Sequence, residues 1–221
     1  MRLLLIRHAE SKGNFEHRLQ GRREFPLTAK GTQQAEALAS RLAPEPLTTI
    51  YSSPIGRALQ TAEIIAAKAG LDVMIEPGIQ EYDFGEAVSG LTWDEIRQRN
   101  PEVIEAFRND DSQFPRYPGE EGRSAFQERV RRTYREITAR HNGEGSVAVV
   151  THAGPITVLV LDALSRPYSR PIPFVLDNAS ITTIEVNNGA VPHLPSLVVT
   201  GINDACHVSN VQSEDRAGGG A

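Results

Sequence analysis

The chain has 221 residues, a formal charge of −5 from 28 acidic and 23 basic side chains, and one cysteine. That length suggests one large domain or two small ones, burying about 70% of the extended surface, which excludes disorder over most of the chain. The acidic balance argues against a nucleic-acid binder, and the lone Cys206 excludes an internal disulfide framework or a multi-cysteine zinc site. No apolar run nears the ~18–20 residues of a membrane helix. The opening Leu3–Ile6 run stops at Arg7, short of the ~7–15 residues of a secretion-signal core, so a cytoplasmic protein without membrane partners is expected.

Arg2–Ile6 is a compact apolar run suited to a buried strand. Thr28–Arg41 places Ala35, Leu38, Ala39 and Leu42 at helical spacing behind Thr28 as N-cap. Thr49–Ser52 reads as a second strand, and Ser53-Pro54 as the cap and first position of a helix that Gly70 closes. Asp72–Ile75 is a third strand. Thr92-Trp93-Asp94-Glu95 is a capping box whose helix Pro101 interrupts or restarts. The polar, Pro- and Gly-rich stretch from Asn109 to Gly122 reads as a surface excursion.

Ser124–Arg140 predicts a long helix with Phe126, Val130, Tyr134 and Ile137 inward. Its Arg129, Arg131, Arg132 and Arg135, interleaved with Glu128 and Glu136, read as a solvated face. Val147–Thr151 is an all-apolar strand, followed by a helix over Pro155–Leu164 and strands at Ser180–Val186 and Leu197–Thr200. The end, 210–221, reads as a flexible tail. The alternation predicts an α/β protein: a three-layer α/β/α sandwich around a mostly parallel sheet, one domain over 1–209 with a helical insertion at about 81–122.

Three strand-to-helix junctions carry chemistry: Arg7-His8-Ala9-Glu10-Ser11, Ser52-Ser53-Pro54 with Arg57 one turn on, and Thr151-His152-Ala153-Gly154-Pro155. Open α/β sheets bind ligands beyond the carboxyl ends of their strands, so two histidines and two arginines are directed to one rim. Guanidinium forks and helix N-termini match phosphate or carboxylate oxygens. A histidine of ordinary pKa, about 6.5, is available neutral at pH 7 to attack phosphorus.

Arg7-His8-Ala9-Glu10-Ser11 with Asn14 resembles the Arg-His-Gly-Glu signature of the histidine phosphatase superfamily, the phosphoglycerate mutase-like proteins. The resemblance continues in order through Gln20-Gly21-Arg22, Pro26-Leu27-Thr28, Ser52-Ser53-Pro54 with Arg57, Glu81 ahead of Phe84-Gly85, Thr151-His152-Ala153 and Asn203-Asp204-Ala205-Cys206-His207. Ala9 and Ala153 stand where glycines are usual, Glu24 replaces an aspartate, and the 85–90 segment is one residue longer.

The resemblance implies the roles. His8 is the nucleophile and becomes a phosphohistidine; Arg7, Arg57 and His152 clamp the non-bridging oxygens; Glu81 is the proton donor and then the base toward water. Asn14, Gln20, Gly21 and Ala153 complete the substrate-contacting set, while Glu10 orients the first loop. The expected activity is metal-independent hydrolysis of small phosphomonoesters by the phosphatase branch, with no cofactor and a homodimer as a possible assembly. One alternative is a phosphoglycerate mutase, against which Glu81-Tyr82-Asp83-Phe84-Gly85 stands where mutases carry Glu-Arg-His-Tyr-Gly. The other is a catalytically weak phosphate-binding interaction module, which needs no nucleophile–acid pair.

Other patterns carry less. The dinucleotide-like Gly143–Ala148 stretch precedes a strand instead of following one, and Cys206 has no arginine six positions on. The remaining histidines, His17, His141, His193 and His207, stand singly, so no metal site is expected.

Overall fold

The computed structural model describes residues 1–109, 116–141, 145–169, 172–187 and 195–211. Six strands, β1 (Arg2–Arg7), β2 (Leu47–Ser52), β3 (Val73–Ile75), β4 (Ser146–Thr151), β5 (Ile181–Val186) and β6 (Leu197–Asp204), form one sheet in the order β3-β2-β4-β1-β5-β6. The helices are α1 (Lys12–Phe15), α2 (Ala29–Leu42), α3 (Gly56–Ala69), α4 (Trp93–Arg99), α5 (Pro101–Asn109), α6 (Arg123–Arg140) and α7 (Ala153–Ala163). The pairings from β3 to β1 are parallel, and β5 and β6 add an antiparallel edge. The sheet is therefore mixed, with the parallel half carrying the three chemical junctions.

Alternation along the central strands sorts the two cores. Leu3, Leu5, Val147 and Val149 pack with Phe126, Val130, Tyr134 and Ile137 of α6 and with Ile156, Leu159 and Val160 of α7. Leu4, Ile6, Ala148 and Val150 face Ala35 and Leu38 of α2 and Ala58, Ala62 and Ile65 of α3. Helices thus cover both faces, as the alternation predicts. Val88, Ile96, Val103 and Tyr117 of the 81–122 segment join the first core, so this segment packs with the sheet.

Thr28 accepts from the Gly31 amide, the Thr92–Glu95 capping box forms, and Gly70 ends α3 in the left-handed region at φ +68°. The start of α3 is corrected. Ile55 is extended (φ −67°, ψ 127°), so the helix begins at Gly56 with Ile55 as an N-cap that offers no side-chain bond. Glu24 serves instead, accepting from the Gly56 amide at 2.9 Å. The last strand is also longer than expected: β6 continues to Asp204 because Asp204 pairs with Ile181.

The α6 face needs the larger correction. Arg132 and Arg135 are solvated and pair with Glu136 and Glu128, but Arg131 forks onto Asp162 of α7 at 2.7 and 2.8 Å. Arg129 is turned inward, its side chain 16% exposed. The stripe Phe126, Val130, Thr133, Tyr134, Ile137 passes directly through position 129. Residues 110–115 of the 109–122 excursion, Gly143 and Glu144 of the dinucleotide-like stretch, His193 and residues 212–221 of the expected tail lie outside the described residues. Among the described residues no helix is long and apolar enough to cross a membrane.

Candidate active site

Parallel register aligns the strand ends: Arg7 lies opposite Thr151, and Val150 opposite Ser52. His8, His152 and Ser53 therefore come directly after three adjacent strands at one rim. The His8 amide donates to the Thr151 carbonyl at 2.9 Å, and the Ser53 amide to the Val150 carbonyl at 3.0 Å. The His8 and His152 rings stand 5.2 Å apart, and both residues are buried.

The hydrogen bonds set the protonation of His8. Its Nδ1 lies 2.8 Å from the Ala9 carbonyl, which only accepts, so Nδ1 carries the hydrogen. Arg57 Nε donates to His8 Nε2 at 3.2 Å, so Nε2 presents a lone pair. Burial, followed by the charges of Arg57 and Arg7, holds the imidazole pKa well below its ordinary value and keeps it neutral. The backbone of His8 is fixed as well: its carbonyl accepts from Asn178 Nδ2 at 3.0 Å and from the Ala179 amide at 3.2 Å.

Arg57, 1% exposed in the first turn of α3, is aimed by backbone carbonyls. Nη2 donates to Gly21 at 2.7 Å and Nη1 to Arg23 at 2.9 Å. Its burial lowers the guanidinium pKa to about 10. Arg7 donates through Nη1 to the Leu176 carbonyl, and its Nε is buried without a protein partner. His152 Nε2 is hydrogen-bonded with Ser53 Oγ at 2.9 Å, leaving Nδ1 buried and unpartnered. Two orphaned polar nitrogens beside a neutral imidazole fit the oxygens of a bound anion, since buried polar atoms ordinarily find partners.

Glu81 reaches the same rim from the loop after β3. Its carboxylate accepts from the Tyr82 amide at 2.9 Å and, on α7, from the Gly154 amide at 3.2 Å. Desolvation raises its pKa, opposed by the Gly154 bond and by Arg57, Arg7 and Arg129. A carboxyl in that state is suited to give a proton and later take one back. Thr151 Oγ1 donates to the Ile79 carbonyl at 2.6 Å, tying this loop to the end of β4.

The second set of expected residues splits. Asn14 Oδ1 accepts from the Ser11 amide and from Asn178 Nδ2, and Gln20 Oε1, 2.7 Å from Ser11 Oγ, accepts that hydroxyl's one hydrogen, so both amides are held by oxygen, leaving nitrogen as the ligand end. Gly21 supports Arg57 through its carbonyl, with φ +52°. Ala153 opens α7. Neither Ala9 nor Ala153 has a positive φ, so the alanines replace glycines without strain. Glu10 holds Thr28 and Lys30, an orienting role as expected.

Arg129, Asn178 and Glu121 escaped the sequence reading; only Arg129 left a signal, its place on the inward stripe. A polar cavity of about 690 Å³ opens beside the site, lined by Arg22, Arg23, Asp83, Glu86, Ser89 and Gly119 among others. Away from it, Asp204, Cys206 and His207 bring ligand-type atoms within 4.8 Å of one another, which the linear spacing of the histidines did not suggest. Asp204 pairs there with Arg41, and His207 Nε2 donates to the Ala179 carbonyl, bracing the loop behind His8.

Known proteins are similar to this chain in sequence and in fold. The sequence model of the histidine phosphatase superfamily (branch 1) matches residues 3–196. Phosphoglycerate mutase-like protein 4 of Arabidopsis thaliana is 33% identical over 189 residues, 85% of this chain and 80% of that protein. Phosphoserine phosphatase 1 of Hydrogenobacter thermophilus is 31% identical over 214 residues, 97% of each chain. The structure of mycobacterial glucosyl-3-phosphoglycerate phosphatase Rv2419c with VO3 superposes at a TM-score of 0.78 with 27% identity, covering 91% of this chain and 98% of that one. The chain belongs to the histidine phosphatase superfamily, branch 1.

Proposed function

We propose that this protein is a metal-independent phosphatase that hydrolyses small phosphomonoesters through a phosphohistidine on His8. The carrying observation is the His8 tautomer: Nδ1–H held by Ala9 and a lone pair on Nε2 in a pocket that keeps the ring uncharged. Nε2 attacks phosphorus, and the P–O bond to the leaving alcohol breaks as Glu81 delivers its proton to that oxygen. Glu81, now a carboxylate, takes a proton from water, whose oxygen attacks phosphorus and frees His8 and inorganic phosphate. Arg7, Arg57 and His152 hold the non-bridging oxygens, where fixed donors stabilise transition-state charge.

The neighbouring cavity admits a small polar leaving group, and its mixed charges suit a hydrophilic alcohol more than a lipid. The phosphatases among the relatives favour hydrolysis over phosphoryl return. So does Tyr82-Asp83 in place of a basic pair. His8→Ala is expected to abolish turnover while the fold persists. Wild type quenched in alkali is expected to carry a base-stable, acid-labile phosphoryl group that the variant lacks. A variant keeping about a tenth of wild-type kcat would refute the assignment, because loss of a nucleophile removes far more.

A further inference from the structure

We infer that Arg129 and Glu121 form a clamp that positions Glu81 for proton transfer, making both positioning residues of the hydrolytic site. The inference rests on Glu81 being the acid of the proposed reaction and adds how that acid is held. Arg129 Nη1 donates to the carbonyls of Gly78 at 2.9 Å and Gln80 at 3.1 Å, and Nη2 to that of Glu81 at 3.4 Å. Three carbonyls of the acid's own loop thus converge on one guanidinium. The guanidinium is aimed by Glu121, which takes Nε at 2.7 Å and Nη2 at 2.9 Å, and it lies 5.2 Å from the Phe126 ring centre. A bidentate fork is the geometry in which arginine orients as well as attracts.

Glu121 extends the clamp to the substrate side. It accepts from the Asp83 amide at 3.2 Å, its own amide donates to the Asp83 carbonyl at 2.9 Å, and it pairs with Arg22 at 2.9 Å. The loop carrying Glu81 is therefore gripped before residue 81 by Arg129 and after it by Glu121. Arg129 does not touch the phosphate pocket. Its influence reaches the reacting atoms through the position of the Glu81 carboxyl and through its charge.

The charge effect has a definite sign. The groups facing the Glu81 carboxyl are Arg7 at the end of β1, Arg57 of α3, Arg129 of α6, the Gly154 amide of α7, the Tyr82 amide and the Tyr168 phenol beyond α7. The arginines and the amide favour the carboxylate, so removing Arg129 raises the Glu81 pKa further. Removing the negative charge of Glu121 leaves Arg129 uncompensated and lowers it.

The test compares single-turnover phosphoryl transfer on an alkyl phosphate and on p-nitrophenyl phosphate, across pH, in wild type, Glu81→Gln, Arg129→Met, Arg129→Lys and Glu121→Gln. An alkoxide needs the proton and p-nitrophenolate leaves almost unaided. Arg129→Met is expected to lose about 10–100-fold on the alkyl ester, part of the ~10²–10⁴-fold that general acids supply, and far less on p-nitrophenyl phosphate. KM is expected to change by less than about threefold, since uniform binding is untouched. The alkaline limb, where Glu81 loses its proton, is expected to move up in Arg129→Met and down in Glu121→Gln. Arg129→Lys keeps the charge and the limb but loses the fork, so its selective rate loss remains. These two variants carry the test if Arg129→Met does not fold. Equal losses on both substrates with unmoved limbs, beside a selective Glu81→Gln, overturn the clamp alone. A Glu81→Gln without selectivity overturns the acid assignment and the clamp with it.

Discussion

Gly154→Ala isolates the position of the Glu81 carboxyl from every other feature of the site. Gly154 lies in the first turn of α7 without a positive φ, so the backbone accepts alanine, and a helix favours alanine over glycine by about 1 kcal/mol. The added methyl, however, would sit 2.1 Å from Glu81 Oε1 and 3.1 Å from the Phe126 ring. To reach an ordinary 3.4 Å contact the carboxylate must retreat by about 1.3 Å. Oε1 ends a flexible side chain and can retreat, while the buried Phe126 ring has to give by only a few tenths of an ångström, so most of the cost falls on catalysis. A misplacement of about 1 Å removes on the order of 10²-fold in rate. The alkyl-ester single-turnover rate is therefore expected to fall about 10²-fold, with p-nitrophenyl phosphate much less affected and Tm unchanged or raised. His8, Arg7, Arg57 and His152 keep their own partners in this variant. An alkyl-ester rate within about threefold of wild type in a folded variant would show that catalysis does not depend on where this carboxyl sits.

Two further outcomes are expected from the same geometry. Nucleophilic attack needs neutral His8, whose pKa is depressed, and leaving-group protonation needs protonated Glu81, whose pKa is raised. The transfer rate, corrected for the ester's own ionisation near pH 6, is thus expected to lose activity on acidification only well below pH 6.5 and on alkalisation only above pH 4.5; an acid limb at or above pH 6.5 contradicts a buried, arginine-flanked nucleophile. Phosphate charge is met by Arg7, Arg57 and His152, so dialysis against EDTA is expected to leave kcat unchanged, and activity restored by one divalent ion alone would refute metal independence.

The rim was legible because parallel strands in register carry their next residues to one edge. Arg7-His8, Ser53 with Arg57, and His152 could be placed together from two apolar runs, the short Thr49–Ser52 strand and the polar residues at their carboxyl ends. Glu81 was not readable that way. It comes from a loop whose approach depends on Thr151, Gly154 and Arg129, all distant in sequence, and only the family resemblance singled it out. Arg129 shows the opposite failure: the helical period placed it on the buried stripe, but a charged residue amid other arginines read as solvent-facing. Its neighbours Arg132 and Arg135 obey that reading, and Arg129 departs from it because Glu121 and three loop carbonyls satisfy its donors. The start of α3 differs for a local reason: Ser53 and Pro54 look like a cap and first turn, but Ser53 Oγ accepts from the Ile55 amide in a turn ahead of the helix, and Ile55 is extended, so α3 opens only at Gly56.

The electrostatics of the pocket tie its stability to its chemistry. Two guanidiniums, the half-buried Arg7 and the fully buried Arg57, stand next to two histidines that burial and those same cations keep uncharged. Desolvating cations is costly, and backbone carbonyls at Gly21, Arg23 and Leu176 offset only part of that cost. Glu81 is the anionic group that faces both arginines, yet it must hold a proton at the moment of transfer. In the proposed reaction a phosphoryl dianion resolves the conflict: it brings the counter-charge, offers oxygens to Arg7 Nε and His152 Nδ1, and lets Glu81 keep its proton until the leaving oxygen takes it. The positive potential that would make an isolated His8 a poor base also makes it a nucleophile that stays neutral and in place until phosphorus arrives.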